Sequence, residues 1–78
     1  MESEKTFSER IKKLRLEKNL SQSQLAKEAG LSPNSIAFWE AGKRLPQADS
    51  LITLAKFFNV RVNYLLGLDD IPRREMNR

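Results

Sequence analysis

Two polar stretches carry the hydrogen-bonding chemistry of this 78-residue chain. The first is Ser21-Gln22-Ser23-Gln24. The second runs from Ser32-Pro33-Asn34-Ser35 to the basic pair Lys43-Arg44. Hydroxyls, amides and cations of this kind bind anions and read planar hydrogen-bonding edges. Covalent chemistry is a poor match, because the sequence contains no His and no Cys. Ser–His and Cys–His nucleophilic catalysis lack a base or a nucleophile. Disulfides and thiolate or imidazole metal sites are excluded. No two carboxylates are placed to suggest an acid–base pair. The expectation is a binding protein, not an enzyme, with no cofactor and no metal.

The elements that must position these side chains read as successive short helices, and no segment alternates like a strand. Phe7, Ile11 and Leu14 recur at helical spacing behind Thr6-Phe7-Ser8-Glu9, which has the form of a capping box. A first helix is predicted over about 7–18. Ser21 to Gln24 forms a second capping box, Leu25, Ala26 and Ala29 follow on one side, and Gly30 stops a helix over about 22–29. Ser32 is a good N-cap and Pro33 suits the first helical position, so a third helix spans about 33–41, closed by Gly42. Ile36 and Trp39 face one way on it. After the loop Lys43-Arg44-Leu45-Pro46, residues 48–58 form a fourth helix with Leu51, Leu54, Ala55 and Phe58 on its buried side. A short fifth helix covers about 62–67 and buries Leu65. The fold class is all-α: a compact bundle of five short helices. Its predicted core is Ile11, Leu14, Leu25, Ala29, Ile36, Trp39, Leu51, Leu54, Ala55, Phe58 and Leu65. Tyr64 and Leu68 fit either the core or a dimer seam. Residues 1–6 read as an N-terminal tail, 7–68 as the domain and 69–78 as a polar C-terminal tail.

The net charge is +4, and it is unevenly spread. Residues 5–67 hold eleven basic and five acidic side chains, whereas residues 1–4 are acidic and 68–78 are balanced. A basic surplus on a small domain points to an anionic partner, most often nucleic acid and sometimes a lipid surface. The first helix carries Arg10, Lys12, Lys13, Arg15 and Lys18, and apart from Arg15 this cluster reads as a solvated face. It lacks the large aromatic side chains of a membrane-surface helix. No apolar run reaches the roughly 20 residues that cross a bilayer, and no apolar leader is seen. The cytoplasm is the expected compartment.

Helices 22–29 and 33–40, joined by Gly30-Leu31-Ser32, have the form of a helix-turn-helix. Leu25 and Ala29 must be apolar to pack, Ala26 small where helices cross, and Gly30 free to reverse the chain. A helix anchored from below by Ile36 and Trp39 is narrow enough to enter the major groove. At this point the run SQSQLAKEAGLSPNSIAFWEAGKRLP resembles the lambda-repressor-like (Cro/repressor, Xre) family of DNA-binding domains. RIKKLRLEKNL is similar to the family's first helix, and LITLAKFFNV with VNYLLG to its fourth and fifth. The resemblance covers about residues 7–67.

The resemblance implies that helix 33–41 is the recognition helix of a sequence-specific regulator of transcription, most often a repressor. Such a regulator binds double-stranded DNA as a homodimer on an inverted repeat. Ser32, Pro33, Asn34 and Phe38 match positions that touch base edges. Ser21, Gln22, Ser35, Lys43 and Arg44 match positions that contact the backbone, and the Gln at the place of Gln22 also braces the recognition helix. Arg15 and Glu40 match an internal ion pair. The residues themselves depart from the family's favoured readers at Pro33 and Phe38. Asn34 is then the one recognition-helix amide able to hold adenine in a bidentate contact, and Phe38 suits a thymine methyl. An A·T-containing half-site follows. The competing reading is a helix-turn-helix that binds a protein partner, and the polar residues 32–35 and the basic loop argue against that as its sole role.

Overall fold

The computed structural model describes residues 2–71 of the chain. It is all-α: α1 (Glu2–Glu17), α2 (Gln22–Ala29), α3 (Pro33–Glu40), α4 (Ala48–Phe58) and α5 (Val62–Leu66). Helix α1 packs on α3 and α5, α2 on α3 and α4, and α4 on α5. The shared core is Phe7, Ile11, Leu25, Ala26, Ile36, Trp39, Leu54, Ala55, Phe58, Val60, Tyr64 and Leu65. Leu14, Ala29 and Leu51, assigned to the core from the sequence, are only partly buried and pack against its edge. Phe7, Ala26, Val60 and Tyr64 complete it. Phe7 meets Trp39 edge-on, with ring centroids 6.3 Å apart at 78°, the arrangement that the quadrupoles of aromatic rings favour.

The first helix departs most from the sequence reading. It starts at Glu2, so residues 2–6 are a helical turn and not a tail, and Thr6 lies inside the helix instead of capping it. Glu4 sits in the first turn, where the helix dipole favours anions. The Ser8 hydroxyl donates back to the Lys5 carbonyl at 3.1 Å, as a mid-helix serine does. At their C-terminal ends α1, α3 and α5 stop one residue short of expectation, while α2 and α4 end where expected. Ala41, whose N–H still donates to the Ala37 carbonyl at 3.0 Å, caps α3, and Gly67 caps α5. Most of the expected polar tail, residues 72–78, lies outside the described residues.

Three of the helix ends turn on residues in the left-handed conformation: Gly30 after α2, Asn59 after α4 and Gly67 after α5. At Gly30 the reversal lets Leu31 N–H donate to the Ala26 carbonyl at 2.8 Å, which sends the chain directly into α3. At Gly67 there is a second constraint, since a Cβ there would stand 2.9 Å from the Thr6 methyl of α1.

Arg10, read from sequence as one of several solvated cations, instead fastens α1 to the far end of the chain. Its guanidinium donates to the carbonyls of Tyr64 and Asp69 and to the Asp70 carboxylate at 3.0 Å. It also lies 4.1 Å from the centroid of the Tyr64 ring. Tyr64 is accordingly buried, and it belongs to the core and not to an exposed seam. Leu68 remains 69% exposed.

The two glycines make a graded prediction. Gly30→Ala meets no atom within 4 Å and carries only the left-handed penalty, about 1 kcal/mol. Gly67→Ala adds the clash with Thr6 and should cost about 2 kcal/mol or more. Urea denaturation midpoints of the two variants should fall in that order.

Candidate nucleic-acid interface

The candidate interface is built on two helices of eight residues each, α2 and α3. Helices this short are unstable alone and form only where packing and caps hold them. The start of α2 is closed by a reciprocal capping box. Gln24 N–H donates to the Ser21 hydroxyl at 3.0 Å, and Ser21 N–H donates to the Gln24 side-chain oxygen at 2.8 Å. Ser32 is the N-cap of α3, but its side chain makes no capping bond. Pro33 supplies the first turn with its φ already set.

On α3 the inward residues are Ile36, fully buried, and Trp39, 6% exposed. Pro33, Asn34, Ala37, Phe38 and Ala41 face outward and are exposed. Ser35 is half-buried at the side. The chain then leaves through Gly42 into the exposed pair Lys43 and Arg44. The Arg44 guanidinium lies 5.9 Å from the Phe38 ring centroid. Asn34, Ala37, Phe38, Ala41 and Lys43 line one open concavity on this face. The structure thus brings Ser32, Pro33, Asn34, Phe38, Lys43 and Arg44 to the outer surface of one helix and the loop behind it.

Ser21 and Gln22 stand at the mouth of α2, and Gln22 is tied inward. Its side-chain N–H donates to Glu40 at 3.0 Å. Glu40 also receives a bidentate pair of bonds from Arg15, at 2.6 Å from Nε and 2.9 Å from Nη2. Arg15 spends a third N–H on the Leu20 carbonyl just beyond the end of α1, at 2.7 Å. The two charged side chains are only 9% and 5% exposed. Hydrogen bonding to Glu40, then the charge of Glu40, hold the Arg15 guanidinium above its already high ordinary pKa, against the opposing effect of burial. One carboxylate therefore joins α1, α2 and the last turn of α3.

The Gln22–Glu40 bond links residues 18 apart. Sequence reasoning passed over two features here. Ala37 and Ala41 were given no role, although their spacing from Asn34 and Phe38 places all four on one helical stripe. Arg10 lies in the helix-one cluster but belongs to the α5 contact described above. Among the described residues, no group of three or more His, Cys, Asp or Glu is placed to hold a metal. No helix among them is long and apolar enough to cross a membrane.

Residues 11–65 match the family described as Helix-turn-helix. Over 65 residues the chain is 40% identical to the HTH-type transcriptional activator BcrR of Enterococcus faecalis, covering 83% of this chain and 32% of BcrR. Over 61 residues it is 33% identical to the cryptic phage CTXphi transcriptional repressor RstR of Vibrio cholerae, covering 78% of this chain and 55% of RstR. The chain thus spans about a third to a half of the length of these curated relatives. Among solved structures it resembles the restriction-modification controller protein C.AhdI of Aeromonas hydrophila, with a TM-score of 0.73 and 28% identity, covering 83% of this chain and 98% of that one.

The Glu40 junction yields a stability prediction. Glu40→Ala strands a buried guanidinium and should cost roughly 3–5 kcal/mol in thermal or urea unfolding. Replacing both partners with apolar residues, Arg15→Met with Glu40→Leu, should recover much of that loss. Equal stability of Glu40→Ala and the parent would refute the junction's role.

Proposed function

The chain belongs to the helix-turn-helix family of DNA-binding transcription regulators, and on that premise we propose a sequence-specific repressor that occupies an inverted-repeat operator as a homodimer. The observation that carries this reading is the two-sidedness of α3. Its inner face is fixed by Ile36 and Trp39, while its outer face offers Asn34 and Phe38 beside a basic loop. A helix held in this way fits the major groove, and the cations beside it reach the phosphates that line the groove.

Ser32, Pro33, Asn34 and Phe38 contact base edges in this reading, and Ser21, Gln22, Ser35, Lys43 and Arg44 contact the backbone. The bond from Gln22 to Glu40 uses one amide hydrogen and leaves the other for a phosphate oxygen. The same bond couples that phosphate to the recognition helix. The backbone N–H groups at the start of α2 add a second anion contact. Asn34 holds adenine through its paired donor and acceptor. The DNA-binding unit is taken as residues 7–68, its first helix extended upstream to Glu2. Dimeric binding places the two α3 helices in successive major grooves, roughly 34–36 Å apart.

The name of RstR supports repression, and the name of BcrR supports activation. A reporter promoter overlapping the operator reads the sign directly, and its expression should fall.

Selection of duplexes from a random library tests the rest, with an inverted repeat carrying A·T pairs in each half as the expected product. Half-sites made only of G·C pairs would overturn the Asn34 reading. Lys43→Ala and Arg44→Ala should each lower the salt slope of binding by about one, across all sequences. Asn34→Ala should leave that slope nearly unchanged and relax the preference for adenine, at roughly 1–3 kcal/mol.

A further inference from the structure

The outer side of α1 carries an ordered row of charges. Phe7 and Ile11 bury the inner side of this helix. On the outer side Lys5, Glu9, Lys13 and Glu17 are all exposed. They stand four residues apart, so they form one ridge along the helix surface. Their signs alternate without a break: plus, minus, plus, minus. The ridge is therefore neutral, although the chain as a whole carries +4. Among the described residues, no salt bridge joins any two of the four. Leu16 stands beside the ridge and is 53% exposed. With Lys12 and three of the ridge residues it lines an open concavity.

We propose that this ridge is a contact surface for α1 of a second copy of the chain, laid antiparallel across a two-fold axis level with Ile11. Reversing the ridge turns plus, minus, plus, minus into minus, plus, minus, plus. In that register Lys5 faces Glu17 of the second copy, and Glu9 faces its Lys13. The axis repeats both pairs, so every charge on the ridge meets its opposite. The same ridges laid parallel and in register would set like charges together, which is unfavourable. Two ridges of residues four apart run side by side when their helices cross at about 50°. Leu16 then lies over the methylene stem of Lys5 of the second copy, which covers its exposed surface. One helix face buries less than the roughly 1,200–2,000 Å² of a stable interface. Exposed ion pairs also set orientation more than strength. The contact is therefore weak, and it forms where copies are held at about millimolar concentration, as neighbours on one DNA molecule are. It uses none of the residues assigned to DNA, so it stands independently of that reading.

The chain contains no cysteine, so single introduced cysteines report the pairing. Lys5→Cys and Glu17→Cys, each checked for folding by its thermal melt, are oxidised with copper and air. The protein is held at about millimolar concentration, each variant alone and the two mixed. The mixture should give the disulfide-linked pair of unlike chains, because the antiparallel ridges bring positions 5 and 17 together. Either variant alone should give about fivefold less dimer, since like positions then lie about 18 Å apart along the helices, beyond the reach of a disulfide. Adding Glu9→Lys to both chains sets like charges against each other and should cut the mixed yield severalfold. Adding Lys13→Glu as well restores opposite charges and should restore the yield. The proposal fails if the mixture links no better than either variant alone. It fails equally if Glu9→Lys has no effect, or if Lys13→Glu does not rescue it. None of these results touches the reading of DNA by α3, which the selection from random duplexes decides separately.

Discussion

The carboxylate of Glu40 is the constraint on which the rest of the arrangement depends. It accepts bonds from Arg15 on α1 and Gln22 on α2 while belonging to the last turn of α3. Water would otherwise solvate all three groups, and removing that water is costly. The geometry offsets the cost by using both oxygens and by turning a third Arg15 N–H onto the Leu20 carbonyl. A bidentate guanidinium–carboxylate contact tolerates little rotation. The end of α3 is thus held in angle as well as in position, which an apolar contact would achieve less sharply.

That matters because α3 is too short to hold itself. Its two buried residues, Ile36 and Trp39, resist lifting away from the core but do not alone prevent rolling about the helix axis. The apolar anchor and the polar junction divide the task. The edge-on contact between Trp39 and Phe7 passes the anchor on to α1, the longest helix of the bundle at 16 residues. A surface that reads base edges needs this rigidity, since a shift of an ångström separates a good hydrogen bond from none.

Where structure is set within a few residues, it was legible in the sequence. The bounds of α2 and α4 follow from a capping box, a left-handed terminator and apolar spacing, and all of these are local. The outward placement of Asn34 and Phe38 follows from the inward placement of Ile36 and Trp39 by helical period alone. The start of α1 was obscured because Thr6 to Glu9 satisfies a cap pattern that the helix overrides. The turn upstream instead runs on into a place where Thr6 lies close against Gly67, 61 positions away. The partners of Arg10 were hidden for the same reason. A cation that fastens distant segments has the same letter as one that is merely solvated.

The Arg10 contact has a consequence for how the molecule comes apart. It closes a loop of 59 residues, from α1 to the Asp69 carbonyl, in a chain that has no cysteine with which to do so covalently. A disulfide at such a place would restrict the unfolded chain as well as the folded one. The guanidinium restricts only the folded one, and its bonds vanish together with the helix ends they grip. The first and last helices are therefore tied to each other only while both are folded, and this closure, unlike a disulfide, is indifferent to the redox state around it.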